Sequence, residues 1–201
     1  MRRVAGFRKP ARTILIVTEG PTEETYFKGL ADRNINIKIV TKSRTRTKPH
    51  QIVDYCKIKM KEYDIDLKEG DVAFAVFDVD NNTDEDLSHA IRIAEKSKIR
   101  AIISNPCFEI WFLMHFRDCQ IPLIDYDRIV EELNHHGLSY QKNKDYRTIL
   151  SPLKETDMRN SKRIAEESNL KTCKDFFNTS YSTNVYEILD CIENIRNSNE
   201  P

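Results

Sequence analysis

Two uninterrupted apolar runs constrain this chain more than any other feature, because each stops directly on an acidic residue. Thr13–Thr18 reads TILIVT and is followed by Glu19; Val72–Phe77 reads VAFAVF and is followed by Asp78-Val79-Asp80. Neither run alternates with polar residues, so neither fits a sheet with one wet face. Each has the length of a strand buried on both sides. That predicts interior strands of a parallel sheet with helices above and below.

The intervening sequence supplies those helices and two further strands. Gly20-Pro21-Thr22-Glu23 predicts a turn into a helix, capped at Gly20 or Thr22, with Pro21 in the first turn. Glu23 and Glu24 then complement the helix dipole. The helix is expected to run to about Asp32 and to bury Tyr26, Phe27 and Leu30. Ile35–Val40 alternates like a strand, and Thr41–His50 is a polar, basic loop. Pro49 opens a helix to about Tyr63, with Ile52, Val53, Cys56 and Met60 spaced three or four apart. Gly70-Asp71 turns the chain into the second apolar strand. A helix over about Asp84–Lys98 follows, and Arg100–Ser104 supplies a fourth strand.

No strand is predicted beyond Asn105. Helical patterns occur at Phe108–Phe116, Tyr126–His136, Tyr146–Leu150, Met158–Leu170 and Val185–Ile195. The expected architecture is therefore α/β: a Rossmannoid, mostly parallel four-stranded sheet flanked by helices, with a helix-rich C-terminal extension. The expected organisation is a basic leader over 1–12, the sheet domain over 13–118, and a helical extension over 119–201 packed on the same unit.

Composition narrows the function classes. A chain of 201 residues buries roughly 70% of its unfolded surface, so it needs no disulfide or metal staple to fold. It has no run of ~18 apolar residues, so no membrane span is expected. The basic N-terminus leads into a strand-length apolar run rather than a signal peptide, which predicts a cytoplasmic protein. The five cysteines are scattered without a C-x-x-C pair, which argues against disulfides and structural zinc and for ordinary thiols. Net charge is zero, yet residues 1–48 hold 12 Lys/Arg against 4 Asp/Glu and the remainder holds 20 against 28. That split fits either a local polyanion contact or a solvated basic tail and loop.

In parallel α/β sheets, ligands bind beyond the carboxyl ends of the strands. Glu19, Asp78 and Asp80 all fall there. The two-residue spacing at a strand end sends both aspartates to one side, with Val79 opposite. If the two apolar strands are neighbours, three carboxylates meet, and unpaired they repel one another. A hard divalent cation resolves that conflict. Mg²⁺ takes one or two carboxylates and leaves positions for water and phosphate oxygens.

The segment LIVTEGPTEETYF followed by AVFDVDNN resembles the Toprim catalytic domain shared by topoisomerases, primases and overcoming-lysogeny-defect nucleases. That resemblance implies that Glu19, followed by Gly20, is the general acid/base. It also implies Mg²⁺ binding, with Mn²⁺ as a substitute, by Asp78 and Asp80 together with Glu19. Toprim enzymes often carry a second acid after the first strand, and Glu23 and Glu24 are the candidates here. The chain also resembles the RloB-like family of prokaryotic anti-phage proteins, through NPCFEIWFLMHF (Asn105–Phe116) and YSTNVYEIL (Tyr181–Leu189). This second resemblance spans about Thr13 to Leu189. It implies an effector in abortive infection: a metal-dependent nuclease acting on DNA or RNA, encoded beside a partner ATPase of the ABC/AAA type. The alternative is a non-catalytic regulatory or sensor subunit that docks such an ATPase. Whether the protein forms an oligomer is left open.

Further candidates carry competing roles. Asn105 and Glu109 lie at the site end of the fourth strand and could reach a metal or substrate; equally, Asn105 could cap a helix with Pro106 at its first position and Glu109 closing a capping box. Trp111, Phe112 and Phe116 read as core rather than as base-stacking residues. His115 reads as a hydrogen-bonded core or surface histidine, and His135-His136 before Gly137 as a helix C-terminus. Lys42, Arg44, Arg46 and Lys48 suit contact with a nucleic-acid backbone, or form a solvated loop. No Walker-type loop is present, which lowers a nucleotide hydrolase.

Overall fold

A computed structural model of the chain describes residues 12–30, 35–42, 47–80, 82–116, 125–140, 162 and 182–199. The two apolar runs form strands β1 (Thr13–Thr18) and β3 (Val72–Asp78). They lie side by side and parallel, with Ile14 opposite Val72 and Thr18 opposite Val76. Strand β2 (Asn36–Thr41) pairs with the other side of β1, and β4 (Arg100–Asn105) with the other side of β3, both parallel.

Alternation of side chains divides the core into two layers. Ile14 and Ile16 of β1 point to one face with Phe74, Val76 and Ile102. That face is covered by α1 (Pro21–Gly29), α4 (Glu109–Leu113), α5 (Tyr126–His135) and α6 (Tyr186–Asn199), through residues such as Phe27, Trp111, Leu133 and Ile192. Leu15 and Val17 point the other way, with Ala73, Ala75 and Phe77. Helices α2 (Pro49–Glu62) and α3 (Asp84–Lys96) cover them with Ile52, Val53, Cys56, Leu87, Ala90 and Ala94. Both interior strands thus have two dry faces, as their unbroken apolar sequence requires. Each fully buried aliphatic or aromatic side chain contributes about 1.5–3 kcal/mol.

Local signals place the helix starts. Gly20 is the N-cap of α1 and Pro21 follows it, as the turn sequence predicts. The helix stops at Gly29, with Leu30 at the C-cap, short of the predicted Asp32. At α3 the Thr83 hydroxyl accepts from the Asp86 amide at 3.2 Å, while Asp86 accepts from the Thr83 amide at 3.3 Å. This is a reciprocal cap that satisfies two otherwise orphaned donors.

Among the described residues the sheet has five strands in the order β2-β1-β3-β4-β5, which corrects the four-stranded expectation. Strand β5, Ser182–Thr183, runs antiparallel to β4. It also overturns the expectation that no strand follows Asn105. Two residues are too short to show periodicity, so the pairing rests on side chains. The Ser104 and Thr183 hydroxyls stand 2.9 Å apart. The Asn184 carboxamide accepts from the Ile103 amide at 2.7 Å and donates to the Ala101 carbonyl at 3.0 Å, extending the ladder beyond the strand.

Asn105 does not cap a helix. It closes β4 opposite Ser182, and the Pro106 carbonyl accepts from the Asp80 amide at 2.9 Å. Helix α4 begins only at Glu109, with Phe108 at its N-cap and no side-chain cap. The predicted helices at Tyr146–Leu150 and Met158–Leu170 lie outside the described residues, apart from Lys162 within the second. No described helix is long and apolar enough to cross a membrane.

Candidate active site

The chain leaves β1 to form β2 on one side and later fills β3 and β4 on the other, so the strand order reverses between β1 and β3. Ligands in open α/β sheets bind at such a switch point, beyond the carboxyl ends. Glu19 directly follows β1, and Asp78 is the last residue of β3. A cavity of about 190 Å³ opens there, lined by Glu19, Gly20, Thr22, Glu23, Asp78, Asp80, Cys107 and Glu109, together with Pro21. The three acids singled out by sequence therefore share one cavity, and two more join them.

The turn after β3 is held firmly. The Val79 amide donates to the Ser104 carbonyl and the Asp80 amide to the Pro106 carbonyl, both at 2.9 Å. The Asn82 side chain donates to the carbonyl oxygens of Asp78 and Asp80, at 3.0 and 3.1 Å. Asn82 is thus a turn residue, whereas Asn81 lies outside the described residues. Val79 points into the core beneath α2 and α3, which leaves both flanking aspartates at the cavity.

Electrostatics is the distinctive property of this cavity. Oδ1 of Asp78 is buried and has no hydrogen-bond partner among the described residues. Burial pushes the Asp78 carboxyl well above the usual carboxylate range, and the negative charges of Glu23, Glu109, Glu19 and Asp80 raise it further, in that order. Glu23 and Glu109 thus join Glu19 and Asp80 in acting on Asp78.

Of the two candidates for a second acid on α1, the structure brings one to the cavity. Glu23 is 4% exposed, and its Oε2 lies over Gly20, where an added Cβ would come within 3.1 Å. Gly20 therefore matters for the space it leaves. Glu24 turns away, accepting from the Thr41 hydroxyl at 2.7 Å and pairing with Lys28. Glu109, 3% exposed, lines the cavity, whereas Asn105 is not among its lining residues.

Sequence reading missed Cys107, Thr22 and Tyr140 as neighbours of the site. Burial, then the charges of Glu109 and Asp78, push the Cys107 thiol well up, so it remains protonated and is a poor nucleophile. The Tyr140 hydroxyl donates to Glu109 Oε1 and stands 3.4 Å from the Thr22 hydroxyl. No periodicity links Tyr140 to residues so distant in sequence.

The remaining candidates sit elsewhere. Nζ of Lys42 donates to the Gln51 carbonyl at 3.0 Å, and that of Lys48 pairs with Asp86 at 2.6 Å. Arg44 and Arg46 lie outside the described residues. Trp111 and Phe112 are core residues. His115 is 5% exposed, is held through Nδ1 to the Trp111 carbonyl at 2.8 Å, and is not among the residues lining the cavity.

A model of the RloB-like protein family matches residues 14–192, nearly the whole chain. The chain belongs to the RloB-like family. Neither a curated protein nor a solved structure matches it. The match takes in the acid-bearing strand ends, α4 and β5 alike, so the RloB-like region includes every residue lining the acidic cavity.

The side-chain donors in this RloB-like cavity are all hard carboxylate oxygens apart from the Cys107 sulfur and the Thr22 hydroxyl, a set suited to Mg²⁺ or Mn²⁺ rather than to zinc. Among the described residues, no three His, Cys, Asp or Glu side chains already converge tightly enough to enclose an ion. The fit rests on the partnerless Asp78 oxygen and on the mutual repulsion that a cation would cancel.

Proposed function

We propose that this protein is a Toprim-type, metal-dependent phosphodiesterase that cleaves DNA or RNA as a cytoplasmic effector of anti-phage defence. The observation that carries the reading is the gathering of Glu19, Asp78 and Asp80, with Glu23 and Glu109, in one cavity at the switch point between β1 and β3. Asp78 and Asp80 would hold Mg²⁺ or Mn²⁺, with Glu19 beside them. Such a cation polarises a phosphodiester and offsets the charge that develops on its oxygens.

The protein's own groups supply the rest. Glu19, on the bend after β1, delivers a proton to the leaving oxygen or removes one from the attacking water. The hydrogen bonds from the Val79 and Asp80 amides to β4 and Pro106 fix the backbone of the aspartate turn, from which both carboxylates reach the cavity. Lys42, Arg44, Arg46 and Lys48 would contact the nucleic-acid backbone and make binding salt-dependent.

The test is cleavage of single- and double-stranded DNA and RNA by purified protein with Mg²⁺ or Mn²⁺. Glu19→Gln and Asp78→Asn are expected to abolish cleavage while the proteins remain folded. Undiminished cleavage by both variants would overturn the reading.

A second reading is favoured by one observation: among the described residues, no three side chains enclose an ion as they stand. In that reading the protein is a non-catalytic regulatory subunit that docks a partner ATPase of the ABC/AAA type. It predicts stable co-purification with the ATPase and full phage resistance when Glu19 and Asp78 are neutralised. Loss of resistance in those variants favours the nuclease.

A further inference from the structure

The cavity is built almost wholly from the segments around β1, β3 and β4, with one exception behind its wall. Tyr140 follows α5, and its backbone amide is held by the side chain of Asn134. Its ring is 1% exposed and packs at 6.3 Å from the Phe112 ring on α4. The hydroxyl is thereby aimed at Glu109, in the same helix as Phe112, and donates to Oε1.

We propose that Tyr140 is a positioning residue for the cation site: by occupying Glu109 Oε1 it orients that carboxylate so that Oε2 serves as a ligand alongside Asp78 and Asp80. The inference rests on the metal reading above and adds to it one ligand and the group that aims it. Two observations carry it. Glu109 lines the cavity while being 3% exposed, so its direction is set by the protein and not by solvent. A phenol donates a hydrogen bond without bringing positive charge, so it orients the carboxylate and leaves its charge available to a cation. An arginine or lysine would neutralise it. Outer partners of this kind orient metal-binding carboxylates in general, and their loss typically weakens metal affinity about 10- to 100-fold.

The contact also gives the α5 segment a role at the site. Residues 125–140 contribute no carboxylate to the cavity, yet their docking on α4 places the hydroxyl that aligns Glu109. The Thr22 hydroxyl, 3.4 Å from the same phenol, joins the start of α1 to this arrangement.

The test is Mn²⁺ binding to the full chain by isothermal titration calorimetry, with Tyr140→Phe, Glu109→Gln, the double variant and Asp78→Asn. Y140F keeps the packed ring and removes only the hydroxyl. It is expected to weaken Mn²⁺ affinity roughly 10- to 100-fold. In the E109Q background the same change is expected to add nothing, because the ligand it aims is already lost. A purely structural tyrosine would lower thermal stability in both backgrounds and leave Mn²⁺ affinity unchanged. Y140F affinity equal to wild type, or losses that simply add in the double variant, overturns the inference while the metal reading survives if D78N still abolishes binding. A wild-type protein that binds no Mn²⁺ overturns both. Should Y140F fail to fold, E109Q decides the matter: unchanged Mn²⁺ affinity there removes Glu109 from the ligand set and Tyr140 from its role.

Discussion

The indole N–H of Trp111 donates to the Tyr26 hydroxyl across 2.8 Å, inside the core, and so ties α4 to α1. Both rings are almost wholly buried, and Tyr26 also meets Phe27, Phe108 and Phe112 at centroid distances of 5.3 to 5.6 Å. Burial pushes the Tyr26 hydroxyl far above its ordinary range, so it stays protonated at any physiological pH. The two helices joined here also carry Glu23 and Glu109, so this contact sets the spacing of two cavity acids.

Tyr26→Phe leaves the Trp111 donor buried and unsatisfied, at a cost of about 1–3 kcal/mol. Trp111→Ala empties a far larger volume and is expected to cost about 3–5 kcal/mol. Urea denaturation monitored by circular dichroism measures both. A Y26F midpoint equal to wild type would show that the bond contributes nothing.

Metal-free Asp78→Asn is expected to be more stable than wild type at pH 8 and to lose that advantage at pH 4. The sign follows from the raised carboxyl: the folded state holds a proton that the unfolded state releases above its ordinary value near 3.8. Folding stability therefore falls as pH rises through that window, until the folded group also ionises. Neutral asparagine has no such window. Melting temperatures of both proteins in chelator, at the two pH values, test this; an equal difference at both would contradict it. Mn²⁺ is expected to stabilise wild type alone.

His115 gives the opposite pH response. Burial pushes its imidazole down to about 4, so the folded state resists a proton that the unfolded state accepts near 6.5. The contribution is complete above pH 6.5 and disappears as pH falls towards 4, amounting to about 3 kcal/mol. Equilibrium unfolding across that range should show a steeper loss in wild type than in His115→Gln. Parallel pH profiles would refute the assignment.

Asn184→Ala is expected to free the Ile103 amide, whose acceptor is the Asn184 side chain at 2.7 Å. Hydrogen exchange at Ile103 should accelerate while that at Ile14 and Val76, in the paired interior strands, stays slow. The stability loss should be about 1–3 kcal/mol, since a part-buried donor loses its partner. Unchanged protection at Ile103 would mean that β5 docks without this side chain.

Much of this architecture was legible in the residues themselves. TILIVT and VAFAVF announce strands with two dry faces, because unbroken apolar sequence has no wet side to offer. Gly20-Pro21 marks the start of α1, and the acids at both strand ends are the ones that come to line a shared cavity. All of these are properties of contiguous stretches, set by backbone geometry and hydrophobic period. The tertiary structure decided what depends on distant partners. It chose Glu23 over Glu24 for the cavity, because helix rotation against β1 buries one and turns the other towards Thr41. It kept Asn105 in a ladder with Ser182 instead of at a helix cap. It brought the Tyr140 hydroxyl to Glu109 and a two-residue strand to the sheet edge. A contact between residues dozens of positions apart leaves no period in either segment, so only the packed chain reveals it.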